Sequence, residues 1–361
     1  MAFQKGKELC RDFYREAVKP ILDRNFPGLR YSAGLLGYGS DVLGYDDPVS
    51  TDHMWGPRLY LFLAEEEMGK KGDVWDALCA ELPGEFGGHS VHFSEPDPDD
   101  NGVRHPEPAP AGRVNPLIWI YTPRGFLQSY LGDGEPEKWD SADWLACSEH
   151  RLLAVSAGEL YRDDLGVQPL LDSLHFYPKV VRQYLMASCW AALAEEQAFL
   201  RRCGDRGDDI GSRLVCGRMA DRLMRICFLC CNRYAPYSKW FGTAFQELPI
   251  DQGIGAAIRE ALAANTLDER ENAMVQAQLR TAALQDSTGM APPQSLQAVP
   301  YFGRKIKVIY ADRMAAALAA GLQGTELDGV PLMGSMSQTA NILPLYENTA
   351  MRQKLRSLYE K

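Results

Sequence analysis

A chain of 361 residues is long enough for about two domains, and 46% hydrophobic with 24% charged residues supplies a sizeable core. A formal net charge of -10 and a pI near 5.2 argue against a nucleic-acid partner, whose phosphates would call for a basic face. The longest apolar runs fall well short of about 18 residues, so no membrane span is expected; nine cysteines without a visible secretory leader predict a reduced, cytoplasmic setting with free thiols.

Taken in chain order, Leu9, Phe13, Ala17 and Ile21 recur every four residues and predict one amphipathic helix over 5–25, ended by Pro27 and Gly28. Tyr31 to Gly37 reads as the first strand, leading into a Gly-Ser turn and a long connection over 40–51. The second strand is expected over 59–64 and a helix over 73–82, with Val74, Leu78 and Leu82 on one side. A short strand over 89–95 precedes an exposed, proline-rich and acidic loop over 96–112; a strand over 115–122 and a helix over 123–131 follow. From about Ser141 the pattern turns helical, with helices expected over 142–157, 178–203, 207–234, 254–263, 268–285, 312–322 and 347–359. Leu160 to Gly166 reads as a short extended piece and turn, 288–300 as a linker, and Tyr301 to Ile309 as extended. Cys227, Cys230 and Cys231 cluster on an apolar helical run with no second pair, so they read as buried thiols rather than a metal or redox site. The expected architecture is a small mixed-sheet α/β domain over 1–138 followed by a helical-bundle domain over 139–361.

Between Leu36 and Leu63 the chemistry concentrates. Gly39-Ser40 at the mouth of a helix offers backbone N–H groups to an anion, and Asp52 stands ahead of the alternating run that begins at Leu59. Gly39-Ser40 followed by Asp52 resembles the signature of the polymerase-β-like nucleotidyltransferases, a Gly-Ser turn and then an acid-x-acid pair. The longer string from Gly37 to Phe62 is similar to an uncharacterised nucleotidyltransferase-like subgroup, and so are Arg201 to Leu214, Arg233 to Trp240 and Ala311-Asp312-Arg313. The resemblance implies a nucleotidyltransferase-like fold over nearly the whole chain, with a phosphate cradle at Gly39 and Ser40 and divalent metal on paired acids. Two positions depart from it. The second acid of the pair is Met54, and the strand that would bring the third acid has Trp119 at its centre. One carboxylate between two large apolar groups is a poor donor set for hard divalent cations, so no metal and no cofactor is expected.

The candidate site residues follow. Asp52 is a metal ligand or a general base in a cleft, or a cap and turn residue in Ser50-Thr51-Asp52-His53. His53 alternates to the opposite strand face, a satisfied core histidine unless it carries a proton. Met54 and Trp119 line an apolar cleft or belong to the core, with Met54 expected on the same strand face as Asp52. Arg58 is an ion-pair partner, or an anion clamp if it reaches the cleft. Tyr237, Lys239 and Trp240 form an aromatic and basic wall, or a helix-end lysine among packed aromatics.

Together these features predict a nucleotidyltransferase fold with a lost metal site. Its cleft would bind an apolar small molecule as substrate and catalyse a metal-independent cyclisation or isomerisation in secondary metabolism. Two alternatives stand beside it. One is a magnesium-dependent nucleotidyltransferase acting on a small-molecule or protein hydroxyl, with Asp46, Asp47 or Asp164 supplying the missing oxygens; the other is a non-catalytic binding protein. The oligomeric state is left open.

Overall fold

Leu59, Leu61 and Leu63 alternate with Arg58, Tyr60 and Phe62, and that period of two gives one strand an aliphatic face and an aromatic one. The computed structural model of the chain describes residues 3–51, 54–100, 102–339, 342, 345 and 348–360. Its strands in chain order begin with β1 (Tyr31–Leu35) and β2 (Arg58–Leu63), followed by the two-residue strands β3 (Glu85–Phe86) and β4 (His89–Ser90), then β5 (Leu117–Tyr121) and β6 (Glu159–Asp163). Four of them form a mixed sheet in the order β5-β2-β1-β6, in which β1 runs antiparallel to both β2 and β6 while β5 lies parallel to β2. On the aliphatic face Leu59, Leu61, Leu63, Ala33, Ile118 and Ile120 are buried with Phe13, Val18, Leu22, Val74 and Leu78. Each fully buried side chain of this kind contributes about 1.5–3 kcal/mol, so this face is the core of the α/β unit.

The helices covering that face are α1 (Gly6–Phe13), a π-helical turn over Tyr14–Val18, α2 (Lys19–Asn25) and, beyond the four-residue α3 (Ser40–Leu43), α4 (Lys71–Glu81). The single helix expected over 5–25 thus carries a π turn. It ends two residues before Pro20, whose missing N–H cannot continue the ordinary ladder. The strand expected over 89–95 shrinks to the β3–β4 hairpin, and the proline-rich loop is tied back by isolated bridges, Phe93 to Pro106 and Asp97 to Val103.

The chain divides into two compact units, one holding 1–138 and 151–175, the other 139–150 and 176–361. A single cut after Lys138 therefore does not describe the α/β unit. The extended piece around Leu160 is β6, and it pairs with β1. The helix expected over 142–157 is two, α6 (Ser141–Ala146) and α7 (Glu149–Ser156), because Cys147 turns extended between them. α5 (Pro123–Leu131) and α8 (Val167–Ser173) complete the first unit. In the second, α9 (Lys179–Glu196), the short α10 (Phe199–Gly204), α11 (Asp209–Cys230), α12 (Ser238–Gln246), α13 (Gln252–Ala263), α14 (Leu267–Ser287) and α15 (Asp312–Ala320) follow one another. α9 packs on α11 and α15, and α14 packs on α11 and α13. Trp190 on α9 is fully buried, and its indole N–H donates to the Gln285 side chain on α14. Cys227 on α11 is fully buried as well, and burial holds its thiol well above the ordinary range. Among the described residues no helix is long and apolar enough to cross a membrane.

The pairing of β1 with β6 depends on Gly34. A Cβ there would stand 2.5 Å from the Glu159 carbonyl oxygen, at the point where the register shifts. Gly34→Ala should therefore lower the unfolding free energy by about 1–3 kcal/mol in urea titrations, the usual cost of overpacking. An unchanged midpoint would show that β6 is not held this closely.

Candidate functional site

The Gly-Ser turn is built around a buried ion pair. β1 ends at Leu35, and the Gly37 N–H donates to the Ala154 carbonyl at 2.8 Å. The chain then enters α3 through Gly39, whose φ is 144°. Asp41, inside α3, points back at Arg58, the first residue of β2. The guanidinium Nε lies 3.0 Å from Asp41 Oδ2 and its Nη2 2.8 Å from Oδ1. Nη2 also donates to the Tyr38 carbonyl at 2.9 Å. The side chains are only 4% and 2% exposed. Burial alone would lower the Arg58 pKa, but the Asp41 charge and its hydrogen bonds more than offset that and hold it well above its ordinary range. A Cβ on Gly39 would fall 2.1 Å from Asp41 Oδ1 and 2.6 Å from Arg58 Nη2, so the pair leaves room only for glycine. Of the two roles read for Arg58, ion-pair partner and anion clamp, the structure gives it the first. Ser40 is half-buried, and its hydroxyl donates to the Ser50 carbonyl at 3.3 Å.

The acids named as alternative sources of metal oxygens, Asp46, Asp47 and Asp164, each accept hydrogen bonds from the protein. Asp46 is fully buried and accepts from the Gly6 N–H at 2.6 Å and from the Trp55 indole at 3.1 Å, which ties the start of α1 to the loop. Asp47 accepts from the Val49 and Ser50 N–H groups at 3.0 and 2.8 Å. Asp164 accepts from the Arg162 guanidinium at 2.9 Å, and this lowers its pKa. Among the described residues no group of three or more His, Cys, Asp and Glu could hold a metal ion. Asp52 and His53 lie outside the described residues. Met54 sits in a bend with φ 47°, half-buried, and β2 starts only at Arg58. The expectation that Met54 shares a strand face with Asp52 is thereby corrected: Gly56 at φ 143° and Pro57 break the extended run between Met54 and the strand.

Trp119 lies on β5 directly across from Tyr60 in the parallel register. The two rings stack at 5.0 Å and 20°, on the sheet face turned away from the leucine core. Tyr60 is buried, and its hydroxyl meets that of Tyr130 on α5 at 2.6 Å, while Trp119 remains half-exposed. Both hydroxyls reach the turn: a Cβ on Gly37 would stand 2.4 Å from the Tyr130 hydroxyl and 2.9 Å from that of Tyr60. Tyr38 packs on Tyr130 at 5.2 Å, and Phe126 meets Tyr60 edge-on at 5.1 Å. Burial first, and the neighbouring Tyr130 second, push the Tyr60 hydroxyl far above its ordinary pKa; burial raises Tyr130 too. Both are neutral at physiological pH and act as hydrogen-bonding groups. An aromatic row thus runs from Trp119 to the Gly37 turn. Tyr38, Tyr60 and Tyr130 were not among the residues singled out in the sequence. The available signal was the aromatic alternation of Tyr60 and Phe62 against the leucines.

Tyr237, Lys239 and Trp240 belong to the helical unit, at the start of α12. Lys239 Nζ lies 5.0 Å from the Trp240 ring centroid, a cation–π contact within the wall itself. Tyr237 borders a cavity together with Glu149 and His150.

A family of domains of unknown function, DUF4037, matches residues 144–241. Among curated proteins no sequence matches the chain. Among solved structures, a nucleotidyltransferase-like protein from Exiguobacterium sibiricum 255-15 is similar over 88% of this chain and 89% of its own, at 10% identity and a TM-score of 0.34.

Removing one partner of the Asp41–Arg58 pair strands a buried charge. Asp41→Asn should cost about 3–5 kcal/mol in chemical denaturation, whereas the double variant Asp41→Leu with Arg58→Met should cost less than the single change. A loss below about 1 kcal/mol for Asp41→Asn would show that the pair does not hold the turn.

Proposed function

We propose that the chain is a nucleotidyltransferase-like protein whose sheet face beside the Gly39-Ser40 turn takes a small apolar or amphipathic molecule. In this reading it acts on that molecule without a metal. The observation that carries the proposal is the stack of Trp119 on Tyr60, continued by the Tyr60–Tyr130 hydroxyl pair at Gly37. Aromatic faces suit rings and hydrocarbon and repel the hydration that triphosphates and magnesium carry. Neutral hydroxyls at the end of such a row can donate to a carbonyl oxygen and stabilise charge that develops there. The engagement of both Asp41 oxygens by Arg58, and of Asp46 by Gly6 and Trp55 at Oδ2 with Lys5 Nζ 3.6 Å from Oδ1, supports the metal-free reading, since these acids are turned to partners within the protein.

The reaction class that suits such a site is an isomerisation or an intramolecular cyclisation in secondary metabolism, in which the wall folds a flexible substrate and one group moves a proton. Asp52 and His53 are the proposed proton carriers, and Met54 adds to the apolar surface. The Gly39 and Ser40 N–H groups are the proposed polar rim.

The test compares two variants against a panel of small cyclic and acyclic ketones and lactones, with binding read by ligand-observed NMR and turnover by mass spectrometry. Trp119→Ala should weaken binding at least tenfold, while Asp52→Asn should leave binding within a few-fold and affect turnover. The opposite result, binding and turnover intact in Trp119→Ala and abolished in Asp52→Asn, would mean that the carboxylate and not the aromatic shape governs the site.

A further inference from the structure

The helical unit holds a cavity of about 130 Å³, on the scale of the roughly 150 Å³ cavities that admit a benzene-sized molecule. It is formed where α7 begins, beside the middle of α11 and the start of α12. Glu149 stands at its back, its side chain 10% exposed. The Glu149 N–H donates to Ser337 Oγ at 2.9 Å, which fixes the start of α7. Its carboxylate meets Arg225 Nη1 at 3.2 Å, and the same guanidinium meets Asp221 through Nε at 2.9 Å. Arg225 is thus shared between two carboxylates. Arg222, the next cation along α11, is turned instead to the Gln338 carbonyl.

The rest of the wall is aromatic. His150 and Tyr237 meet edge to face at 5.4 Å and 73°, and Phe241 lies under Arg225 at 5.3 Å. Tyr237 is 37% exposed and marks the side open to solvent.

We propose that this cavity binds a small organic cation, an alkylammonium or guanidinium ion, held by Glu149 and Asp221 against the rings of Tyr237 and Phe241. Three features select that charge. Two carboxylates face one guanidinium, so the lining carries an excess negative charge when both are ionised. The guanidinium is already shared between both acids, which offsets the attraction its charge would have for an incoming anion. Aromatic faces beside a carboxylate are the usual surroundings of a bound organic cation.

Burial pushes the Glu149 carboxyl up to about 7; the Arg225 charge and the Ala235 N–H pull it down, and Asp221 adds to the rise. Tyr177 and Tyr234 behind it are held well above their ordinary range by burial, and burial pushes the Cys189 thiol on α9 up to about 12, so all three are neutral. Cation binding then displaces the Glu149 proton: the neutral carboxylic acid gives one proton to solvent and the carboxylate pairs with the ligand. Affinity should rise with pH through about 7. The site lies wholly within the helical unit and involves none of the aromatic row of the α/β unit, so either proposal can fail without the other.

The probe is butylammonium chloride, titrated calorimetrically into the full chain at pH 6, 7 and 8 in two buffers of different ionisation enthalpy, with butanol and butyrate as neutral and anionic controls. The expected result is saturable butylammonium binding about tenfold tighter at pH 8 than at pH 6, with proton release, and none by the controls. Glu149→Gln should abolish both the binding and the proton release. Tyr237→Ala, at the exposed rim, should weaken binding severalfold without lowering the melting temperature, and it decides the matter if Glu149→Gln fails to fold. Absence of binding at millimolar butylammonium would overturn the proposal. So would equal affinity for butyrate, or pH-independent binding that Tyr237→Ala leaves unchanged.

Discussion

A carboxylate and a guanidinium taken out of water together hold the centre of the α/β unit. Desolvating two such charges costs several kcal/mol per ion, and only a geometry that satisfies most of their hydrogen bonds offsets it. Asp41 and Arg58 have that geometry: two contacts between them at 2.8 and 3.0 Å, and a third from Arg58 to the Tyr38 carbonyl. The pair joins α3 to the first residue of β2, so it fixes how the chain leaves β1 and how it enters β2. It also dictates the glycine at position 39, where any side chain would fall on the ions. The Gly-Ser turn is shaped from behind, by the protein's own ion pair.

With the turn fixed, the sheet presents two unlike faces. The leucines of β2 meet α1, α2 and α4 on one side. On the other, Tyr60, Trp119, Phe126 and Tyr130 pack ring against ring and bring two neutral hydroxyls to Gly37. Rings that satisfy one another leave half-exposed Trp119 as the outer member of the row. Trp119 is the half-exposed ring of this face, and Asp41 and Asp46 are buried acids engaged by Arg58, Gly6 and Trp55. This arrangement of charge and apolar surface is the physical basis on which a metal-free small-molecule site is proposed.

Much of this was legible in the sequence where the signal was local. Leu59, Leu61 and Leu63 announced a strand by period alone, and Leu9, Phe13 and Ile21 announced the opening helix. The Gly39-Ser40 turn and the mixed α/β class followed from the motif and from the order of elements. What escaped depended on distant partners or on backbone geometry. The pairing of β6 with β1 joins residues more than a hundred positions apart, and Gly34 betrays it only once the Glu159 backbone is in place. Met54 looked like a strand residue until Gly56 and Pro57 interrupted the run. Cys147 split a continuous helical pattern, and that break places Glu149 at a helix start against Arg225. Nothing in the periodicity of a helix marks a buried carboxylate whose partner sits on another helix.

The most direct test of the proposed metal-free site is fluorine NMR of the full chain labelled with 5-fluorotryptophan, the Trp119 resonance being assigned from its loss in Trp119→Phe. Small uncharged ketones or lactones that bind the chain should move that resonance saturably, and millimolar ATP or CTP with excess magnesium should leave it in place. A saturable, magnesium-dependent shift of Trp119 with either nucleotide, and none with the uncharged compounds, would contradict the account.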